Sequence, residues 1–389
     1  MKHFDMVAIG GGPAGSMAAL TAAKLDLSVL LVERDPDIGI PVRCAEGVDV
    51  KGLSQFFQPD PKWISAEINS YYLVAPDGSK VKMLSGLDSG LILERSVFDR
   101  MIAHEAALNG ARVMTGIEAV AMTEYTEGLR TVTLRSDEKE WDVRARVVIA
   151  ADGVESRVAR WAGLKTRVGL DDMETCAQMT LANIDIDQHA FSLYYSSKFA
   201  PEGYAWVFPK GRKIANVGLG ISGNFAKQKT PVQRLEEFRE HYFPETSIVS
   251  RTIGGIPCTG GIEKIYADGV MVCGDSAQMA NPITGGGIIN GMIAGQFAGE
   301  TAAEVLSKGG AEEKRLRIYR KRCDDRFGKM NRRFYRIKES IITLSDNRLN
   351  EIAHKILETP VEKRTPIKVL RSALLKEPGL LRLLPKLLI

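Results

Sequence analysis

The chain has 389 residues, 44% hydrophobic and 26% charged, so it is long enough for more than one core and carries no bias toward disorder. Its net charge of +4 is mild, and Met1 to Glu300 holds no dense basic run, which excludes nucleic acid as a partner. Five cysteines without a Cys-x-x-Cys pair exclude a disulfide framework and a structural zinc site, and no metal is expected.

In chain order, Phe4 to Ile9 reads as a short buried strand, Pro13 to Leu25 as an alanine-rich helix and Ser28 to Glu33 as a second strand. Together they form a β-α-β unit. The start "MKHFDMVAIGGG" has no n-region or cleavage site, so no secretory leader is expected. Residues 34 to 65 read as irregular. "SYYLVAP" and "KVKML" are strand-like and joined by the turn "PDGS". "SVFDRMIAHEAALNG" has helical spacing and ends on Gly110, a C-cap residue. Residues 111 to 153 are strand-rich. From about 165 to 265 the pattern alternates and is aromatic, as in "FSLYYS" and "YAWVFPKG", with one helix near "PVQRLEEFREHYF". "GVMVCGDSA" returns to a buried strand, and beyond about 308 the chain is helical and basic. No uncharged apolar run reaches the roughly 18 residues that suggest a membrane span, so a cytoplasmic location is expected.

Two segments carry cofactor chemistry. In "AIGGGPAGSMAA", Gly10, Gly12 and Gly15 follow a strand and open a helix. Gly10 allows the tight turn, Gly12 lets a pyrophosphate approach the backbone, and Gly15 permits close helix–strand packing. The helix N-terminus offers free N–H groups. Glu33, at the tip of the second strand and followed by Arg34, is placed to accept from ribose hydroxyls, which disfavours a 2′-phosphate. This fingerprint holds the adenosine half of a dinucleotide. In "CGDSAQMANPITGGGIINGM", Asp275 ends a strand, where it can bond a ribityl or ribose hydroxyl. Pro282, Gly285, Gly286, Gly287 and Ile288 then let backbone pass beside a flat ring and begin another helix, whose N-terminus suits a reduced flavin.

"GGGPAG" with Glu33, "VIAADGVESRVAR" with Asp152, and "CGDSA…NPITGGGI" resemble the three flavin fingerprints of the p-hydroxybenzoate-hydroxylase-type FAD enzymes. "ILERSVFDRMI" adds an Arg-x-x-Phe-Asp segment that puts Arg95 near the cofactor in that family. "PEGYAWVFPKG" and "PVRCAEGV" are similar to segments of the geranylgeranyl reductase family, and the length suits its archaeal digeranylgeranylglycerophospholipid reductases, which saturate isoprenoid chains of ether lipids. The resemblance implies FAD contacts from Ala14, Glu33, Cys44, Ala45, Gly47, Arg95, Ala119, Asp275, Gly287 and Ile288. It further implies an isoprenoid ether-lipid substrate. Flavin-dependent halogenases differ: they carry Trp-x-Trp-x-Ile-Pro where this chain has Tyr204-Ala-Trp206-Val-Phe208-Pro209.

Tyr204, Trp206, Phe208 and Pro209 are the candidate substrate-binding residues. The alternating aromatics suit either core packing or the wall of an apolar tunnel. Cys44 is the candidate proton donor, although a free thiol, with a pKa of about 8.5, is a modest acid. With one Gly-x-Gly-x-x-Gly unit, the electron donor is NAD(P)H docking transiently or a ferredoxin-like carrier. From Arg364 onward nine leucines and six Lys or Arg face one acid, Glu377, which fits either a docked amphipathic helix or a segment resting on the inner face of the membrane.

The predicted fold class is α/β: a Rossmann-like FAD-binding domain with an antiparallel-sheet substrate domain and a helical C-terminal region. The predicted boundaries are 1–165 and 266–307 for the discontinuous FAD domain, with a strand-rich excursion near 66–92. The substrate domain takes 166–265 and the helical region 308–389. An FAD-dependent monooxygenase of an aromatic or lipid substrate is the alternative activity, and a lipid carrier with a vestigial nucleotide fold is the alternative class.

Overall fold

The computed structural model describes residues 1–85 and 89–373. It contains two compact units. The first comprises Met1–Val42, Arg95–Val168 and Pro257–Arg332; the second comprises Arg43–Glu94, Gly169–Ile256 and the chain from Arg333 onward.

The first unit is built on a largely parallel sheet. Lys2–Ile9 lies between Glu140–Ala150 and Val29–Val32, and pairs parallel with both. Arg112–Met114 extends one edge in parallel, and Val270–Val272 the other. Arg130–Arg135 and Glu118–Met122 add an antiparallel branch. Val29–Val32 is buried throughout, as expected for a strand covered on both faces. The helices Pro13–Lys24 and Arg95–Leu108 are the crossovers that return the chain in parallel.

The second unit carries a seven-stranded sheet in the order Ser247–Pro257, Met173–Ala182, Ile214–Ser222, Tyr204–Pro209, Ala190–Tyr194, Ser70–Val74, Lys80–Leu84. The expected antiparallel sheet contains a parallel pair, Ala190–Tyr194 with Ser70–Val74. These strands come from distant parts of the chain, so no hairpin dictates their direction. One face packs against the helix Pro231–Tyr242, burying Met179, Leu181, Ala205, Val207, Val217, Leu219, Leu235 and Phe238. That helix starts on a capping box, with Thr230 and Gln233 bonded reciprocally.

The unit boundaries differ from those read off the sequence. Residues 43–94 join the second unit because Ser70–Val74 and Lys80–Leu84 complete its sheet, while Gly47–Asp49, Ile64–Ile68 and Gly90–Leu93 form a small sheet beside them. The stretch from 34 to 65, expected to be irregular, thus contains two short strands and the helix Val50–Leu53. The C-terminal helices are shared: Glu313–Cys323 belongs to the first unit, and Asp346–Leu357 to the second. There Ile352, Ala353 and Ile356 bury against Ala75, Val81 and Met83. Val369 and Ala373, on the last described helix, Pro366–Ala373, pack against this cluster. The leucine-rich remainder from 374 to 389 lies outside the described residues.

Candidate functional site

In the first unit the three glycines have distinct surroundings. Gly10 has φ +107°, and a Cβ there would come within 2.2 Å of the Ala151 carbonyl oxygen. A Cβ on Gly15 would come within 2.0 Å of the Gly10 oxygen, so the helix start is pressed onto the turn. A Cβ on Gly12 would meet no protein atom within 4 Å. That is the direction in which a pyrophosphate can come close. Gly12 caps the helix without a side-chain bond and Pro13 follows, which leaves the first N–H groups facing outward.

Glu33 reaches back over this turn. Its Oε2 accepts from the Gly11 N–H at 2.6 Å and its Oε1 from the Asp35 N–H at 2.9 Å. The acid therefore fixes the glycine loop. Arg34 forms an exposed pair with Glu155 at 3.1 Å. Asp152 is engaged in structure: it accepts from the Val158 N–H and the Ser276 hydroxyl, both at 3.0 Å. Ala119 is buried in the antiparallel branch.

Asp275 behaves differently. It sits in the single turn Gly274–Ala277, and its carboxylate makes no hydrogen bond among the described residues. Burial raises its pKa, and the nearby Arg95 guanidinium opposes that rise. Arg95 itself is held in a two-pronged pair with buried Asp99, at 2.5 and 3.1 Å. A half-buried carboxylate with no donor of its own can accept from a ligand hydroxyl. The loop after it is preformed. Asn281 Oδ1 accepts from the Ile283 and Thr284 N–H groups, and Thr284 Oγ1 from the Gly286 N–H. Gly285 takes φ +66°. A Cβ on Gly287 would lie 3.3 Å from Asp275 Oδ1, and helix Ile288–Ser307 begins there uncapped by any side chain. The open approach at Gly12 and the unbonded Asp275 carboxylate fit the pyrophosphate and ribityl parts of FAD.

One feature of this helix escaped the sequence reading. Gly291, Gly295 and Gly299 share one face, which lies on helix Pro13–Lys24. A Cβ on Gly295 would come within 2.2 Å of the Ala14 oxygen, and one on Gly299 within 2.8 Å of the Thr21 Cβ. The spacing of four is visible in the sequence.

In the second unit, alternation along Tyr204–Pro209 puts Tyr204, Trp206 and Phe208 on the face away from the helix, while Ala205, Val207 and Pro209 turn toward the core side. Pro209 is thus separated from the other three candidates. The aromatic face continues sideways. Phe208 meets Phe191 at 4.9 Å between centroids, Phe191 stacks on Tyr71 at 5.1 Å, and Tyr204 meets Trp206 and Tyr195, each at 6.1 Å. Trp206 is 7% exposed and its ring lies over Gly218, where a Cβ would come within 2.4 Å. Its indole N–H donates to Gln178 Oε1 at 3.0 Å.

Residues 43 to 47 are tied to this sheet. Gln178 Nε2 donates to the Cys44 carbonyl at 3.0 Å, and a Cβ on Gly47 would strike the Phe208 ring at 2.8 Å. Ala45 lies between them. The Cys44 Sγ accepts from the Glu46 N–H at 3.2 Å. Glu46 is 2% exposed and takes φ +74°, a strained setting that its partners hold in place. Its carboxylate is 2.8 Å from the Lys210 ammonium and accepts from Asn216 Nδ2 at 2.6 Å. Lys210 also reaches Glu94 and the Leu93 carbonyl. Glu46 and Lys210 went unnamed in the sequence reading although each lies in a segment that it quoted. A pairing across so much sequence leaves no local signal.

The described residues contain no cluster able to hold a metal ion and no helix long and apolar enough to cross a membrane.

A family model described as the geranylgeranyl reductase catalytic domain matches residues 172–256, and one described as lycopene cyclase protein matches residues 5–194. The chain is 44% identical over 387 residues to the digeranylgeranylglycerophospholipid reductase of Methanothrix thermoacetophila, covering 99% of this chain and 97% of the relative. It is 41% identical to the enzyme of that name from Methanocella arvoryzae, covering 98% of each. A crystal structure of a geranylgeranyl bacteriochlorophyll reductase-like protein from Thermoplasma acidophilum superposes with a TM-score of 0.92 at 32% identity, over 100% of both chains. The flavin-dependent brominase Bmp2 shares the fold alone, with a TM-score of 0.71 at 18% identity over 97% of this chain and 100% of that one. The chain belongs to the digeranylgeranylglycerophospholipid reductase family.

Proposed function

We propose that this protein saturates the isolated double bonds of geranylgeranyl groups on an archaeal-type ether glycerophospholipid, with FAD as its cofactor. Among the structural observations, the aromatic side chains that share one sheet face, Tyr71, Phe191 and Phe208 in one group and Tyr195, Tyr204 and Trp206 in another, carry the reading. Their rings present apolar surface, suited to a long hydrocarbon. In the first unit, the Gly10–Gly15 turn, Glu33 and Asp275 would hold the cofactor. Bound FAD supplies the hydride chemistry of the family.

The rest falls to the chain. An isolated alkene has no carbonyl to stabilise a carbanion, so proton and hydride must arrive nearly together, and positive charge develops on the tertiary carbon. Tyr204 and Trp206 offer π faces to that charge, an attraction of about 0.5–2 kcal/mol. Gln178 and Gly218 fix the Trp206 ring, so no reorganisation is needed at the moment of reaction. The apolar wall keeps water out and positions the chain without polar handles.

The test is anaerobic. Dithionite-reduced protein mixed with a geranylgeranylated glycerophospholipid should yield products heavier by two hydrogens per event. Trp206→Ala should slow saturation, by about tenfold if roughly 1.4 kcal/mol of transition-state stabilisation is lost. Reduced protein that leaves each alkene intact and is reoxidised only by oxygen, with hydroxylated product, would establish the monooxygenase instead. The electron donor is NAD(P)H or a ferredoxin-like carrier, and replacing dithionite by each in turn separates them.

We further propose peripheral association with the membrane through the basic, leucine-rich segment after Ala373. Its composition is the support, and ending the chain at Ala373 leaves the packed helix before it intact. That shortened protein should float less with anionic liposomes, and salt should weaken binding of the full chain. Equal flotation of the two would sink the idea.

A further inference from the structure

Saturating an alkene consumes a proton, and a donor must stand where the hydrocarbon lies. Cys44 is a modest choice, since a free thiol, with a pKa of about 8.5, is a weak acid at neutral pH. The aromatic face contains a better one. Met173–Ala182 pairs with Ile214–Ser222 so that Glu174, Cys176 and Gln178 stand opposite Ser222, Gly220 and Gly218. On the other side of Ile214–Ser222, Tyr204 and Trp206 stand opposite the same Gly220 and Gly218. Glu174 therefore shares the face of Tyr204 and Trp206, at its polar end. The glycines clear a place for it: a Cβ on Gly203 would lie 3.2 Å from Glu174 Oε2, and one on Gly220 3.7 Å from it. Glu174 Oε2 is fully buried and has no hydrogen-bond partner among the described residues.

We propose that Glu174 is the acid that protonates the alkene, its carboxyl set beside Gly203 and Gly220 on the sheet face that bears Tyr204 and Trp206. This rests on the alkene-reductase reading above.

A buried carboxylate oxygen without a donor disfavours the charged form, so the group holds its proton to higher pH than an ordinary glutamate. Burial is the main influence and raises its pKa from 4.5 to about 7; the Lys338 ammonium opposes this, while Glu202 and Asp172 add to it. Lys338 is engaged with Asp172 at 3.0 Å, and Tyr335 donates to the same carboxylate at 3.1 Å. The neighbouring Cys176 is no rival, because burial, with Glu174 and Cys44 nearby, pushes its thiol far up. An acid poised near neutrality is the kind that transfers a proton well. In the step, the Glu174 O–H bond breaks and the alkene π pair forms a C–H bond with that proton. The other alkene carbon takes the hydride equivalent that the reduced cofactor supplies, and water returns a proton to the carboxylate.

Glu174→Gln keeps the shape and removes the transferable proton. In FAD-loaded, dithionite-reduced protein, this variant should saturate the lipid alkene at least about a hundredfold more slowly than wild type. Its FAD content should be unchanged. The wild-type rate should fall as pH rises through about 7. Thermal unfolding gives a readout independent of activity. The folded-state pKa is raised, so the stability contributed by the protonated group is complete below 4.5 and is lost as pH rises through about 7. Between about pH 5 and about pH 8 the wild-type midpoint should therefore drop relative to that of Glu174→Gln. If Glu174→Gln does not fold, Glu174→Asp, which keeps the proton at shorter reach, should give a slower enzyme with a displaced pH profile. An equally fast Glu174→Gln beside an active wild type, a midpoint difference that does not change with pH, or a Glu174→Asp with wild-type rate and profile overturns the acid alone. Wild type that saturates no alkene overturns the functional reading and the acid with it.

Discussion

Replacing Gly12 by valine yields a folded protein that binds no FAD. The two halves of this expectation have separate causes. A Cβ at Gly12 meets no protein atom within 4 Å, so the side chain disturbs little of the fold. It does fill the approach that a pyrophosphate must use, in front of the helix N-terminus. Purified Gly12→Val should be colourless, with far-ultraviolet circular dichroism like that of wild type. Its thermal midpoint should match that of FAD-stripped wild type, because the stabilisation conferred by a ligand that binds only the folded state is gone. Gly15→Ala is the contrast: its Cβ would overlap the Gly10 oxygen at 2.0 Å, so it should lose both fold and cofactor. A yellow Gly12→Val protein would show that the pyrophosphate lies elsewhere.

A large loss of stability is expected from Lys210→Met. Lys210 is 10% exposed in its side chain and Glu46 is 3% exposed, so water screens this pair little. Removing the ammonium leaves the Glu46 carboxylate buried with Asn216 as its remaining named donor. Breaking a buried pair from one side costs about 3–5 kcal/mol. Adding Glu46→Gln should return much of that loss, since the uncompensated charge is then gone. Denaturant midpoints of the two single variants and the double variant measure this. A double variant no more stable than Lys210→Met would mean that the lysine acts through packing, not through charge.

How much of this was legible follows from where each signal lies. The glycine turn and Glu33 are local: strand, loop, helix and acid follow one another, and each residue type has one physical reason to be there. Asp275 and the loop from Asn281 to Gly287 were readable on the same ground. The strand Tyr204–Pro209 showed its alternation, which was enough to group Tyr204, Trp206 and Phe208. What could not be read is what joins distant segments. The Glu46–Lys210 pair, the Trp206–Gln178–Cys44 chain and the parallel pairing of Ala190–Tyr194 with Ser70–Val74 depend on register between strands far apart in sequence. Glu174 is one acid in an ordinary strand, and only its burial sets it apart. The unit boundaries fail for the same reason, since a strand's hydrophobic pattern does not name the sheet that it enters.

A familiar way to raise a protein's melting temperature is to replace helix glycines by alanine, which gains about 1 kcal/mol at each compatible site. The helix Ile288–Ser307 offers three such targets and admits one. Alanine at Gly291 would make ordinary contact with Ala14, at 3.5 Å. Alanine at Gly295 would drive the Ala14 backbone away, and Ala14 belongs to the first turn of the helix proposed to face the pyrophosphate. Heat tolerance and cofactor affinity are therefore coupled through one glycine in the interior of a helix, several turns from where its neighbours would be expected to matter. An engineer seeking a hardier enzyme should leave Gly295 alone.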